Sequence, residues 1–364
     1  MKNTIGTNLT VTIFGESHGD AIGAVIDGIT PGLCVNEDNI RRRLVKRMGD
    51  PEISTKRREP DNFKIVSGVF EGKTTGTPLA IIIPNESVRS RDYSELASVA
   101  RPGHADYTAQ LKYHGFQDYR GGGHFSGRIT AAIVAAGSIL LDALNAKGIY
   151  IGTHILECGG VSDRKFESFP EDVISSEEME FSVLDKAAAE SIRAAVKNAA
   201  AQLDSVGGIA ETAVCNAPAG VGEPWFGSVE SVLSQAMFSI PAVKGIEFGA
   251  GFAFAKMTGS QANDAFYMDN GSVRTKTNNN AGINGGITNG EPIIFRTAVK
   301  PTPSIFKAQQ TVNFKTEKDT VLELKGRHDP AIIGRFPVVA DCVTAIAVAD
   351  MLVGRFGTDY LSAL

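Results

Sequence analysis

The sequence has little of several things that would settle its class at a glance. Four cysteines occur in 364 residues, Cys34, Cys158, Cys215 and Cys342, far apart and without paired spacing. That argues against a disulfide framework or a cysteine zinc motif and points to reduced thiols in a cytoplasmic protein. There is no HExxH, and the histidines are not accompanied by carboxylates at metal-ligand spacing, so no metal is expected. A P-loop and a GxGxxG set between strand and helix are both missing. Ser17 beside His18 lacks the surroundings of a nucleophile elbow. No apolar run reaches the length of a bilayer span, and the polar start MKNTIGTNLTVTIF does not read as a signal peptide, so no membrane is expected. Neither sign of charge dominates, at a formal net charge of −5. Residues 41–58 hold eight basic residues against two acidic ones but no aromatic, which argues against nucleic acid as a partner.

Glycine is plentiful instead, 39 residues, much of it in short clusters. The densest stretch is 101–138, RPGHADYTAQLKYHGFQDYRGGGHFSGRITAAIVAAGS. It holds His104, His114 and His124, with Arg101 and Arg120 beside polar loops, and three consecutive glycines, Gly121, Gly122 and Gly123. Such a run costs backbone entropy, so it marks positive φ or close approach to another group. After it, Ile129, Ala132, Ile133, Ala136 and Leu140 keep a three-four spacing that predicts a helix to about residue 147. A glycine loop feeding a helix N-terminus offers free N–H groups to an anion. His18 sits between glycines in GESHG (15–19), just past an alternating stretch at 9–14 that reads as a strand.

Further strands are expected at 22–29, 63–70, 79–84, 150–157, 209–216, 243–255 and 292–300. Helices are expected at 36–47, capped by Asn36, and at 183–204, 228–240 and 341–356. Residues 87–100 read as a charged loop or short helix, and the acidic stretch 162–181 as an exposed insertion. Residues 270–290, rich in Asn, Gly and Thr, read as a long loop over a site. With no βαβ rhythm, repeat or linker, one large α+β domain over 1–364 is expected. Its chemistry is that of an anion site: many arginines, several glycine loops, and His18 and His104 placed to protonate a leaving group.

Six motifs carry a resemblance to a known family. GESHG (15–19), RREPD (57–61), SGVFEGKTTGTP (67–78), RPGHADYT (101–108), DYRGGG (118–123) and GRHDP (326–330) resemble, in order, those of chorismate synthases. The likeness extends from residue 3 to the final helix. It implies a β-α-β sandwich, a homotetramer and a shikimate-pathway lyase. That lyase converts 5-enolpyruvylshikimate 3-phosphate to chorismate and phosphate by anti-1,4 elimination, using reduced FMN that is not consumed. On this likeness His18 protonates the departing phosphate and His104 protonates the reduced flavin at nitrogen 1. Asp329 lies near flavin nitrogen 5 as a base. Flavin contacts are implied at His124, Phe125, Ser126, Pro241, Ala242, Gly285, Lys300, Pro301, Thr302, Pro303, Ser304 and Arg327. Arg47 falls on a position assigned to pyridine nucleotide, which implies NADPH as a reductant. Many members carry Arg-Ser-Ser where this chain has His124-Phe125-Ser126, and Ser where it has Pro303. The alternative is a flavin-binding protein without catalysis, against which His18, His104 and Asp329 stand intact.

Overall fold

Two antiparallel sheets form from stretches in which buried and half-buried residues alternate. The protein is described by a computed structural model over residues 2–54, 60–86, 98–324 and 329–362. The chain opens with β1 (Thr4–Ile5), β2 (Thr10–Gly15), β3 (Ala21–Asp27), α1 (Glu37–Lys46), β4 (Lys64–Ser67), the hairpin β5 (Val69–Phe70) and β6 (Lys73–Thr74), and β7 (Leu79–Pro84). There follow α2 (Asp106–Lys112), α3 (Thr130–Ala146), β8 (Tyr150–Cys158), β9 (Val161–Ser162), α4 (Glu171–Glu178), α5 (Lys186–Ala201) and β10 (Gly208–Cys215). Next come α6 (Val229–Phe238), β11 (Val243–Phe248), α7 (Gly259–Ala262), and the hairpins β12 (Phe266–Asp269) with β13 (Ser272–Thr275) and β14 (Ile283–Asn284) with β15 (Ile287–Thr288). The last elements are β16 (Ile293–Val299), β17 (Gln309–Asn313), β18 (Lys318–Leu322) and α8 (Phe336–Phe356).

One sheet has the order β1-β2-β3-β7-β4 and the other β11-β16-β10-β8-β9. In β7, Leu79, Ile81 and Ile83 are fully buried while Ala80 and Ile82 are half-buried, the period-two pattern of a strand. Between the sheets lie α3 and α8: α3 packs on β3 and β7, α8 on β8 and β10, and the two pack on each other. One apolar core draws on both sheets and both helices. This is the expected β-α-β sandwich, of the α+β class. Gly137 lets the helices meet closely, since a Cβ there would lie 2.5 Å from the Cβ of Cys342.

Enclosed on nearly all sides, α3 and α8 have no need of a polar stripe. The expectation about membrane spans is therefore corrected. Gly127–Ala146 and Ile332–Phe356 are long and apolar enough to cross a bilayer, but 83% and 94% of their apolar windows is buried inside the protein. They are core helices.

Other expectations also shift. Asn36 caps α1 as expected, accepting from the N–H groups of Asp38 and Asn39. Helix α8 starts five residues before the expected position, with Pro337 in its first turn, where the missing N–H costs little. Residues 162–181 are not an exposed insertion: Phe166, Val173 and Ser176 are buried and α4 closes on β8. Gly152 permits that contact, because a Cβ on it would meet the Val173 carbonyl oxygen at 2.2 Å. Residues 270–290 fold into hairpins rather than an open loop, and the Asp264 carboxylate pins Asn279 and Asn280 through their N–H groups. The pair β17–β18 was not expected; its sequence is too polar to signal a strand. Most of the loop expected at 87–100 lies outside the described residues, as do Lys56, Arg57, Arg58 and Arg327.

Candidate active site

Gly121, Gly122 and Gly123 have φ of 60°, 86° and 54°, a left-handed path that residues with a Cβ rarely take. Helix α3 begins only at Thr130, beyond a 3₁₀ turn at Gly127–Ile129. The run thus leads, through that turn, into the helix expected from the spacing that starts at Ile129. It is a partition between two histidines. A Cβ on Gly121 would lie 2.8 Å from His18 Nε2 and 2.9 Å from Ser17 Oγ, and one on Gly122 would lie 3.4 Å from His104 Nε2. The Ser17 N–H donates to the Gly123 carbonyl at 3.1 Å, tying the turn after β2 to the partition. His124 adds a second tie: its Nδ1 lies 2.7 Å from the Gly15 carbonyl oxygen, which can only accept, so Nδ1 carries the hydrogen.

Two cavities meet at this partition. The smaller, about 270 Å³, is lined by Ser17, Arg47, Arg128, Asp329 and Arg335 among others. The larger, about 740 Å³, has His104, His124, Phe125, Ala242, Lys300 and Pro303 on its walls and an apolar side of Ile129, Ile133, Val343 and Ile346. Gly121, Ser126, Pro241, Thr302 and Ser304 line both.

The smaller cavity holds more cation than anion. Arg47 donates to Asp61 Oδ2 at 2.7 Å, Arg128 to Asp61 Oδ1, and Arg335 lies 3.1 Å from Asp329. Arg47, Arg128 and Asp61 are all buried. Burial pulls Arg47 below the ordinary arginine range, against the attraction of Asp61. Among the described residues, three guanidinium groups thus meet two carboxylates here, an arginine-rich setting suited to an anion. In the larger cavity, burial and the neighbouring Lys244 ammonium lower Lys300 from its ordinary value. Lys300 donates to the Gly103 carbonyl, and no carboxylate pairs with it among the described residues.

Each active-site histidine has a carboxylate nearby, and each carboxylate is gripped by an arginine. Asp106 Oδ1 lies 2.9 Å from His104 Nδ1, and Arg101 holds both Asp106 oxygens at 2.7 and 2.8 Å. Burial pushes the Asp106 carboxyl up, but hydrogen bonds from Arg101 and His104 outweigh it and hold the group well below the usual carboxylate range. On the His18 side, Arg120 grips Asp118 at 2.7 and 2.8 Å and, by those hydrogen bonds, lowers it too.

The structure therefore brings together most of the expected site residues. His18, Gly285 and Pro301 line neither cavity; His18 is buried beside Gly121, which lines both, and Gly285 is exposed at the tip of the β14–β15 hairpin. Sequence reasoning gave no role to Asp61, Asp106 or Arg335. The first two lay inside quoted motifs, whereas Arg335 gave no signal beyond its place just before α8.

The fold and site define an α+β sandwich with two adjoining cavities lined by arginines, lysines and histidines. The sequence profile of the family described as chorismate synthase matches residues 9–353. The chain is 43% identical over 350 residues to the chorismate synthase of Thermococcus kodakarensis and 45% identical over 350 residues to that of Pyrococcus abyssi. Each match covers 96% of this chain and 97% of the relative. A crystal structure of chorismate synthase aligns with a TM-score of 0.76 at 28% identity, covering 98% of this chain and 94% of that one. The chain belongs to the chorismate synthase family. It is a carbon–oxygen lyase that eliminates phosphate from 5-enolpyruvylshikimate 3-phosphate to give chorismate, in a family that requires a flavin.

Proposed function

We propose that the smaller cavity takes the phosphorylated substrate and the larger one takes reduced FMN, with Gly121 and Ser126 on the boundary. The observation that carries this reading is the contrast between the cations of adjoining chambers: among the described residues the smaller has Arg47, Arg128 and Arg335 on its wall, and the larger has no arginine but Lys300 and Lys244. A volume of about 740 Å³ lies within the range of cofactor sites. The apolar wall suits a flat ring system, and the uncompensated lysines suit a phosphate.

Arg47, Arg128 and Arg335 bind the substrate's phosphate and carboxylates. His18 gives a proton to the departing phosphate, His104 holds one at Nε2 facing the flavin chamber, and Asp329 accepts the proton lost from the substrate ring. Reduced FMN, when bound, supplies the electron density that assists C–O cleavage. Arg47 is assigned here to the substrate, because its buried guanidinium lines the smaller cavity. NADPH is the proposed source of reducing equivalents. The enzyme acts as one domain over 1–364, in the cytoplasm, as a homotetramer. The oligomer is supported by Trp225, Phe226 and Phe252, exposed by 84%, 96% and 84%.

Phosphate release under anaerobic conditions with reduced FMN tests the central claim. Full turnover with oxidised FMN and no reductant overturns it. Turnover with NADPH and oxidised FMN separates self-reduction from external reduction, and light scattering reads the oligomer.

A further inference from the structure

His104 Nδ1 has two partners that demand opposite things of it. Asp106 Oδ1, at 2.9 Å, can only accept a hydrogen, and Arg101 Nη2, at 3.1 Å, can only donate one. They cannot both be satisfied through the same nitrogen. The Arg101 Nη2 group is already committed to Asp106 Oδ1 at 2.7 Å, closer than it stands to the imidazole. The Arg101 backbone N–H also donates to Asp106, at 2.9 Å. The carboxylate is thus pinned at both oxygens by one residue and aimed at the ring.

We propose that Asp106 is a positioning residue that fixes the hydrogen of neutral His104 on Nδ1, so that Nε2 is the atom that takes up a proton and returns it. This rests on the reading of His104 given above and names the group that makes it possible. With Nδ1–H donating to Asp106, the neutral ring presents a bare Nε2 beside Gly122, and the protonated ring presents N–H at the same place. One proton moves on and off Nε2, and nothing else in the triad need rearrange. The opposite tautomer, with Nδ1 accepting from Arg101, would present N–H at Nε2 while neutral and could take no proton there. Arg101 therefore acts on His104 through the carboxylate. Asp106 opens α2 and stands two residues from the histidine, so the spacing itself delivers the carboxylate to Nδ1.

Nitrogen-15 NMR of histidine-labelled, flavin-free protein at alkaline pH reads the tautomer directly, with the signal assigned by its loss in His104→Ala. The expected result is a protonated, pyrrole-like Nδ1 and a bare, pyridine-like Nε2. Asp106→Asn keeps the shape and removes the charge. The hydrogen should then move to Nε2, with Arg101 donating to Nδ1, and kcat should fall by roughly 10²-fold with KM little changed. A wild-type hydrogen on Nε2, or a tautomer unmoved by Asp106→Asn, overturns the proposal. The wild-type spectrum decides even if the variant folds poorly. A fully active His104→Ala would instead remove the role of His104 and leave the tautomer result standing.

Discussion

Helix α1 serves two buried charge clusters, and they are built in opposite ways. Arg43, 2% exposed, donates to Glu177 at 2.7 Å, to Asp142 at 2.7 Å and to the Ser138 carbonyl at 3.1 Å. Lys46 donates to the carbonyls of Ser176 and Glu177 at 2.9 and 2.7 Å, near the buried Asp341. Every cation there has its anion or carbonyl. One residue on, Arg47 joins Arg128 and Arg335, where guanidinium groups outnumber carboxylates among the described residues. The first cluster locks α1 to α3 and α4, and the second lines the cavity proposed for the charged substrate. Size does not tell them apart: a cavity of about 500 Å³ lies beside Arg43, larger than the one at Arg47. Charge balance does.

The site end should break hardest at its proton carriers. His18→Ala and His104→Ala should each slow turnover by roughly 10²–10⁴. Substrate should still bind, because the arginines remain. Either variant turning over at close to the wild-type rate with saturating substrate and flavin removes that histidine from the mechanism. Gly121→Ala should come next, at roughly 10–10²-fold in kcat. Its φ of 60° disfavours a side chain, and the new methyl would press on His18 Nε2 at 2.8 Å. A melting temperature near wild type with lowered kcat is the expected pair of results; unchanged kcat would mean that His18 moves aside freely.

Much of this was readable from residues, and the failures are informative. The caps, the α3 spacing and the strand alternation are local signals, and they placed most elements within a few residues. The glycine run stands out in the sequence, and the structure shows the positive φ and close approach expected of it. What the sequence did not name are the groups that approach: the missing Cβ atoms leave room for His18 and His104. That depends on the turn after β2 and the turn before α2 converging on the glycine run, which no local pattern states. The same holds for Asp61, which becomes a bridge only once α1 and the turn before α3 converge on it. Residues 162–181 misled because acidic composition hid Phe166 and Val173, the side chains that bury the segment.

The balanced cluster should answer to pH rather than to ligand. Burial raises the Asp341 carboxyl to about 7 from an ordinary 3.8, with Lys46 pulling the other way. Between those values the folded chain keeps a proton that the unfolded chain has released. This group's contribution to stability therefore falls as pH rises through the window and is lowest above about 7. Asp341→Asn removes the buried charge and leaves Lys46 its carbonyls. Its melting temperature should exceed wild type by a few degrees at roughly pH 8, and the gap should close toward roughly pH 5. A variant less stable than wild type at the higher pH would mean that the Lys46–Asp341 attraction outweighs burial.

The smallest effect is expected where the site is held rather than charged. The Nδ1 of His124 is spent on the Gly15 carbonyl, so only Nε2 is left to reach into the larger cavity. His124→Ala removes a tie and one contact together. FMN affinity should weaken by a few-fold to tenfold, about 1 kcal/mol for one hydrogen bond. His124→Arg gives up the tie but brings a fixed charge to a chamber whose lysines already favour an anion, so it should bind FMN at least as well as the alanine variant. Flavin titration of the two variants separates the functions. If both lose the same affinity, the tie to Gly15 is what matters and the residue works by holding the partition in place. If arginine restores what alanine loses, the contact matters and the tie is dispensable. Unchanged affinity in both would leave the glycine backbone and Lys300 to hold the cofactor without help from position 124.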